Sequence, residues 1–529
     1  MTDVETLREQ LLQRGYLSHG IERWFALDPW SSRAFWAELV TVAAKAAILI
    51  ALFGSLPCVA VMLARNHPLT TIETLELFVI YAPAWFVMGF ALVLAVALLL
   101  KIRPELTIDT SRGLLAISIA TSIVLIVPLV VWWYEFDALP SAVELAAGSV
   151  MAAIFFVVAT IVVSAALLSF TIYELQRIPA IHQKPRGVPL TVAAAMLVAL
   201  LFVPAYATPE RHVQSPQQVV TMPTRRHLAL VAVDGLSDDI LRSRLDLTRE
   251  FAIVEPVKTV SGASTTERWA SVGTGVPASL HGVRAVEGVQ LAGGPQVLQS
   301  VSRADVVLRS VATRQPLPPT IRRRDYVWEI FAARGVPSLS VNWWTTSDAR
   351  IGALTSIGQE TIFGPAKSDA LAVDSGAEQR FLRDVDATHP QFATVYLPAL
   401  DVILNRVTAE PSARLSMSIR ALDGALALVR SLRQRGYDVL LVGLPGQSQS
   451  GLAVVASSID LGAATSPLDI APTLCSLMGF PASAEMSGRS LTGEVGPRIA
   501  SYGSRARSEA APKMNQEYYE SLRSLGYIK

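Results

Sequence analysis

The sequence predicts an all-α membrane domain of five transmembrane helices, followed by an α/β/α sandwich with a mostly parallel sheet. Two observations carry this reading. Hydrophobic residues make up 51% of the 529-residue chain and charged residues only 17%, with a mean hydropathy of +0.40, and the apolar excess is confined to the first 207 residues. From about residue 225, short apolar runs alternate with amphipathic segments, the pattern of strands alternating with helices. The chain is also too long for one typical domain.

Residues 1–37 carry Arg8, Arg14, Arg23 and Arg33 among Trp24, Trp30 and Trp36, and read as a cytoplasmic segment near the membrane interface. The first residues, MTDVETLREQLLQRG, are too polar for a cleavable signal peptide. Five apolar runs fill 38–207, at about 42–64, 77–100, 113–134, 147–172 and 188–207. Each approaches the ~20 residues that cross a bilayer as a helix. The loops alternate in charge. Lys101, Arg103 and Arg112 mark one, and Arg177, Lys184 and Arg186 another, whereas 135–146 holds only Glu135, Asp137 and Glu144. With the N-terminus cytoplasmic, five crossings place everything after residue 207 outside. Intramembrane charges are few, and Lys45 can snorkel from the inner end of the first span. This half therefore reads as an anchor or lipid-facing platform, without a proton or ion pathway. A net charge of +1 gives no nucleic-acid footprint. Cys58 and Cys475 imply neither a disulfide framework nor a metal site.

Residues 208–224 are polar and proline-bearing, a linker, and 225–529 form the second domain. Strands are expected at His227–Val233, Pro337–Val341, Phe392–Leu397 and Asp438–Leu444, with helices at Asp325–Arg334 and Ser416–Arg435. The last has Ile419, Leu422, Leu426 and Leu432 spaced for one face. In open sheets of this kind, ligands bind beyond the carboxyl ends of the strands. Asp234-Gly235 stands at one such end, Asn342 with Trp343 and Trp344 at a second, Asp401 just past a third, and Leu444-Pro445-Gly446 at a fourth. An aspartate there is ordinarily a turn residue or cap. Two of them near a helix start suggest a shared crevice.

That helix start lies in SGASTTERWASVGTGVPASLHGV, residues 261–283, with the helix expected from near Trp269. Thr265 and Thr266 precede it. A threonine here can cap the helix, or act as a nucleophile where free N–H groups face an anion. Neighbouring Arg268 can hold an anionic group, or lie solvated on the helix surface.

Together these pieces resemble the alkaline phosphatase superfamily, closest to its type I phosphodiesterase/nucleotide pyrophosphatase branch, over most of residues 226–529. VAVDG resembles the family's first metal-ligand segment, which implies Asp234 as a ligand. STTERWASVGTGVPASLHGV resembles the nucleophile segment, which implies Thr265 as nucleophile. VNWWTT resembles a tryptophan-rich loop and makes Trp343 and Trp344 candidates for substrate contact beside Arg268. SPLDIAPTLCSLMGFP, MSGRSL and SLRSLGYIK match later segments. Sulfatases share the fold, but Thr265 cannot become their formylglycine, and Trp269 stands where they carry arginine.

Active relatives hold two divalent metals. The resemblance implies Asp234 and Asp401 as ligands here, but Asn405 replaces a histidine and Gly443-Leu444-Pro445-Gly446 replaces Ser-Asp-His-Gly. Of seven histidines, only His227, His281 and His389 lie beyond the linker, none at a ligand position. A zinc pair is hard to build from this set. At most one hard cation is expected, on oxygens of Asp234, Asp401 and Asn405. The expected function is that of a membrane-anchored, extracytoplasmic phosphodiesterase/sulfatase-fold protein, metal-site-degenerate and acting in binding or assembly. The alternative is an active phosphodiester hydrolase, or a lipid-linked phospho-group transferase using Thr265. The implied partners are membrane lipid or a phosphate-bearing envelope molecule.

Overall fold

The computed structural model describes residues 32–66, 69, 71–102, 110–136, 142–176, 221–222, 224–259, 264–292, 297–364, 369–406, 410–446, 451–505 and 515–528, with Thr6, Gln10 and Gln13. The chain divides into two compact units, one of residues 1–209 with 289–313, the other of 210–288 with 314–529.

The first unit is built on α1 (Arg33–Asn66), α2 (Thr71–Ile102), α3 (Thr110–Tyr134) and α4 (Ala142–Gln176). They contain the first four predicted runs, and all four are long and apolar enough to cross a membrane. The fifth run, 188–207, lies outside the described residues. A helix satisfies its own backbone polar groups, so an apolar segment can remain helical in lipid. Close packing uses small residues. A Cβ on Gly54 would lie 2.6 Å from the Trp85 ring, and one on Gly89 would lie 2.8 Å from Ile50. Two ion pairs are buried, Arg65–Glu144 at 2.6 Å and Lys101–Glu174 at 3.3 Å.

The segment 289–313 falls within the range read from sequence as the second domain, yet it clusters with these helices. Val289, Leu291, Leu298 and Leu308 enter their apolar core. Asn66 pairs with the Ser300 backbone in both directions, at 2.8 and 2.9 Å. Asp305 accepts from Tyr81 Oη at 2.5 Å and Trp132 Nε1 at 2.8 Å. No local periodicity signals this membership.

The second unit is organised by one eight-stranded sheet. Its strands are β1 (Leu228–Asp234), β2 (Ile253–Val257), β3 (Ser338–Trp343), β4 (Ala349–Ile351), β5 (Leu354–Gly358), β6 (Phe392–Leu397), β7 (Asp438–Leu444) and β8 (Ala453–Ser457). They lie in the order β2-β8-β7-β1-β6-β3-β5-β4. The five strands from β7 to β5 are parallel, and β8, β2 and β4 join antiparallel, so the sheet is mostly parallel as predicted. Central β1, β3 and β6 are buried along their whole length, which explains the nearly continuous apolar runs of β1 and β6, whereas β3 buries Ser338, Ser340 and Asn342 between its apolar residues.

The helices that matter below are α5 (Thr265–Thr274), α6 (Gln359–Phe363), α7 (Ala370–Thr388), α8 (Ala399–Asn405), α9 (Pro411–Gln434) and α10 (Gln516–Ser524). On α9, Leu422, Leu426 and Leu432 are buried, but Ile419 is 44% exposed. Ile419 falls just off the stripe that meets the sheet. The predicted 325–334 helix is shorter, Val327–Ala332. The late DIAPTL segment is structural. Asp469 accepts from the N–H groups of Thr465, Ser466 and Arg489 at 2.9–3.0 Å, tying two loops to one helix start.

Candidate functional site

The site forms at the carboxyl ends of β1, β6 and β7. Asp234 ends β1 and is fully buried. Gly235 follows at φ +85°, and any Cβ there would strike the backbone of Leu400 and Asp401. Glycine is required because this turn lets α8 come directly against the end of β1. Asp401 thereby reaches the crevice from the first turn of α8, also fully buried.

Helix α5 begins at Thr265, four residues before Trp269, where the sequence suggested. Its cap is Ser264, whose Oγ accepts from Glu267 N at 3.1 Å. The serine satisfies the helix end, so Thr265 has no capping role. Thr266 donates to Ala285 O at 2.6 Å and fastens the loop before the next strand. Thr265 is buried, and its Oγ1 accepts from Arg406 Nη2 at 3.3 Å.

Arg406 is the residue that sequence reasoning missed. Its Nε donates to Asp401 Oδ2 at 2.7 Å, and its Nη1 donates to Gly526 O at 3.1 Å. Its guanidinium lies 4.1 Å from the centre of the Tyr527 ring. Asn405 Nδ2 donates to the other Asp401 oxygen at 2.8 Å. The available signal was adjacency, because Arg406 immediately follows Asn405, the residue that the family resemblance sets against a histidine.

Arg268 is buried rather than solvated, and its Nη1 donates to Pro445 O at 2.5 Å. Its Nε and Nη2 have no hydrogen-bond partner among the described residues. Asp234 Oδ2 accepts from Tyr396 Oη at 2.8 Å, while Oδ1 has no such partner among the described residues. Trp269 is close enough to favour the carboxylate's charge, although its Nε1 makes no hydrogen bond of normal geometry. Burial, then the Asp401 carboxylate, pushes the Asp234 carboxyl up to about 7, with Arg268 pulling the other way.

Asp234, Thr265, Asp401, Asn405 and Arg268 are thus brought together. Trp343 is not, since its ring is in the aromatic core and its Nε1 donates to Thr394 Oγ1 at 3.0 Å. Trp344 is buried behind the crevice against Tyr396 and Tyr527. Gln447, Ser448 and Gln449, which the sequence offers as further hydrogen-bonding side chains for the crevice, lie outside the described residues. The three histidines have other work. His281 Nδ1 accepts from Val283 N at 3.0 Å and Nε2 meets Ser271 Oγ at 2.9 Å, fixing the turn after α5. His389 ends α7 in the left-handed region, and His227 packs on Tyr437.

This donor set does not fit a pair of divalent ions. A divalent ion needs lone pairs, but both Asp401 oxygens already accept from N–H groups, one of them on a guanidinium. Leu444 and Pro445 have no side-chain donor atom for a metal. Among the described residues, no three His, Cys, Asp or Glu side chains gather as a metal site would require. What the arrangement does supply is a fixed cation, Arg406, that neutralises Asp401 and engages the Thr265 oxygen.

Comparison with solved structures returns proteins of low identity. A 2-O GAG sulfatase shares 10% identity, with 51% of this chain and 73% of that one covered, at a TM-score of 0.34. Human ectonucleotide pyrophosphatase / phosphodiesterase 5 shares 11%, with 51% and 97% covered, at 0.35. Phosphonoacetate hydrolase from Sinorhizobium meliloti 1021, in complex with phosphonoformate, shares 15%, with 43% and 59% covered, at 0.29. No curated protein matches. Residues 228–450 match the family model for type I phosphodiesterase / nucleotide pyrophosphatase, and this part of the chain is similar to that family.

Proposed function

We propose that this domain is a metal-site-degenerate phosphodiesterase-fold module, held outside the cytoplasm by its helices and acting in binding or assembly. The observation that carries this reading is the Arg406 guanidinium, bonded to Asp401 and to the Thr265 hydroxyl. It sits among residues that elsewhere in the superfamily would serve a cation. Donation onto the Thr265 oxygen occupies a lone pair that a nucleophile needs. The test is metal analysis of the purified full chain, with hydrolysis of bis(p-nitrophenyl) phosphate in added zinc or manganese. The expected result is sub-stoichiometric metal and no turnover above buffer. Stoichiometric metal, with turnover that Thr265→Ala abolishes, would overturn it.

A second reading, a phosphodiester hydrolase or lipid-linked phospho-group transferase, draws on one specific observation. Thr265 is freed from capping and stands at the start of α5 near Asp234, whose raised pKa suits a proton acceptor. Thr265 would then bond to phosphorus as the leaving alcohol departs. On either reading the phosphate-bearing partner is a membrane lipid or an envelope molecule. The outward orientation rests on the loop charges. A membrane-impermeant maleimide should label Glu520→Cys in intact cells, and labelling only after lysis would reverse the assignment.

A further inference from the structure

The Arg406 guanidinium has four contacts, and two of them come from one stretch far along the chain. Asp401 and Thr265 hold it from the sheet side. Gly526 O and the Tyr527 ring hold it from the other. Both belong to Asn515–Ile528, which consists of α10 and the turn after it. Asn515 caps α10 by accepting from Glu517 N and Tyr518 N. Gly526 takes φ +75°, which turns the chain so that its carbonyl faces the arginine.

This segment docks through Tyr518, Leu522, Leu525, Tyr527 and Ile528, which join the apolar core of the second unit. Tyr518 Oη donates to Gln359 Oε1 at 2.8 Å, and its ring meets Phe363 edge-on, both on α6. Leu522, Leu525 and Ile528 are buried. Tyr527 lies edge-on to Trp344 and near Phe363. Gln359 in turn donates to Asn342 O, and Asn342 donates to Tyr396 O. Tyr396 is the residue that holds Asp234. The docked segment therefore reaches both halves of the crevice, directly through Arg406 and through α6 to Tyr396.

We propose that Asn515–Ile528 is a strap that locks the Arg406 guanidinium onto Thr265 and Asp401, and that undocking it opens the crevice to a ligand. Arg406 ends α8 and has a long flexible side chain. Asp401 alone fixes one edge of its guanidinium. The Gly526 carbonyl and the Tyr527 face fix the plane, since a cation held over an aromatic ring cannot swing away without losing that contact. A ligand approaching Thr265 must compete with Arg406 Nη2 for the hydroxyl oxygen. The strap sets how easily that competition is won. This holds whether or not the crevice turns over, so it stands apart from the metal question.

The experiment places a thiol at the locked position, Thr265→Cys in the full chain in detergent, and measures its rate of modification by N-ethylmaleimide. Cys58 and Cys475 are both buried, and the chain without Thr265→Cys gives their baseline. Tyr527→Leu keeps apolar bulk but loses the aromatic face, and should speed labelling about tenfold or more. Tyr527→Phe keeps the face and should leave the rate within about twofold. Arg406→Gln should be fast by itself, with no further gain from Tyr527→Leu. Equal rates in the Leu and Phe variants would overturn the proposal, as would a Tyr527→Leu acceleration undiminished in the Arg406→Gln background. Hydrogen exchange of 515–528 in the unsubstituted chain gives an independent reading. Protection there as strong as in β1 would also overturn it, because a strap must release more readily than the core.

Discussion

Two buried aspartates, one in each unit, are treated in opposite ways. Asp305 packs among the helices with both oxygens engaged. One accepts from Tyr81 Oη and Trp132 Nε1, the other from Leu308 N at 2.9 Å. Asp234 is equally inaccessible, but it has one hydrogen bond, from Tyr396, and an oxygen with no partner among the described residues. Burial is costly for both carboxylates. At Asp305 hydrogen bonds offset the cost. At Asp234 it remains, visible as a carboxyl pushed up to about 7 by burial and by Asp401. A fully bonded buried carboxylate holds structure together. One left partly unsatisfied beside a second carboxylate costs the fold stability.

The comparison is sharpest when each aspartate is removed. Asp305→Leu leaves Tyr81 and Trp132 donors buried without an acceptor, and should cost on the order of 3–5 kcal/mol. A large drop in apparent melting temperature in detergent is the readout, and a neutral result would break the contrast.

Asp234→Asn should act in the other direction and raise stability by about 1–2 kcal/mol near neutral pH. The sign follows from linkage. The folded carboxyl binds its proton more tightly than an unfolded aspartate, which titrates near 4. Its protonated form is stable below that value, and stability is lost as pH rises from about 4 through about 7. The gain from Asp234→Asn should therefore grow across that window and level off above it. A constant difference across pH would mean that the charge is not the source.

A smaller pair of effects separates cap from crevice along α5. Ser264→Ala removes the cap and should cost about 1 kcal/mol. Thr265→Val, one residue on, keeps the branched bulk of this buried side chain, removes only a long hydrogen bond to Arg406 and should cost less. The reverse order in denaturant melts would restore the capping role to Thr265.

The smallest effect belongs to the surface. Arg435 pairs with Asp386 at 2.7 Å, with both side chains about a third or more exposed. Arg435→Ala should change stability by roughly 0–1 kcal/mol, and less in high salt.

Much of the frame was legible from residue order. Phe392–Leu397 and Asp438–Leu444 form the strands expected there, because a strand buried on both faces must be a continuous apolar run. Four apolar runs became four long helices for the same local reason. The crevice was legible in part. Asp234, Thr265, Asp401, Asn405 and Arg268 do converge, because the ends of parallel strands lie side by side. The roles within it were less so. Capping fell to Ser264 and not to either threonine, since a shift of one residue decides which side chain points back along the helix.

Sequence by itself determined what is written in local periodicity and in the presence or lack of particular atoms. It set the apolar spans, the alternating half, and a stretch at Asn405 and 443–446 without the donor atoms that a pair of metal ions would need. Only the tertiary structure decided what fills their place. Arg406 is one of many arginines until α8 brings it between Asp401 and Thr265, and Gly526 and Tyr527 meet it from 120 residues away. Nor does anything in 289–313 announce that its Asp305 completes the helix unit. Both depend on which distant groups are buried together, and a buried charge is set by its partners in space and not by its neighbours in the chain.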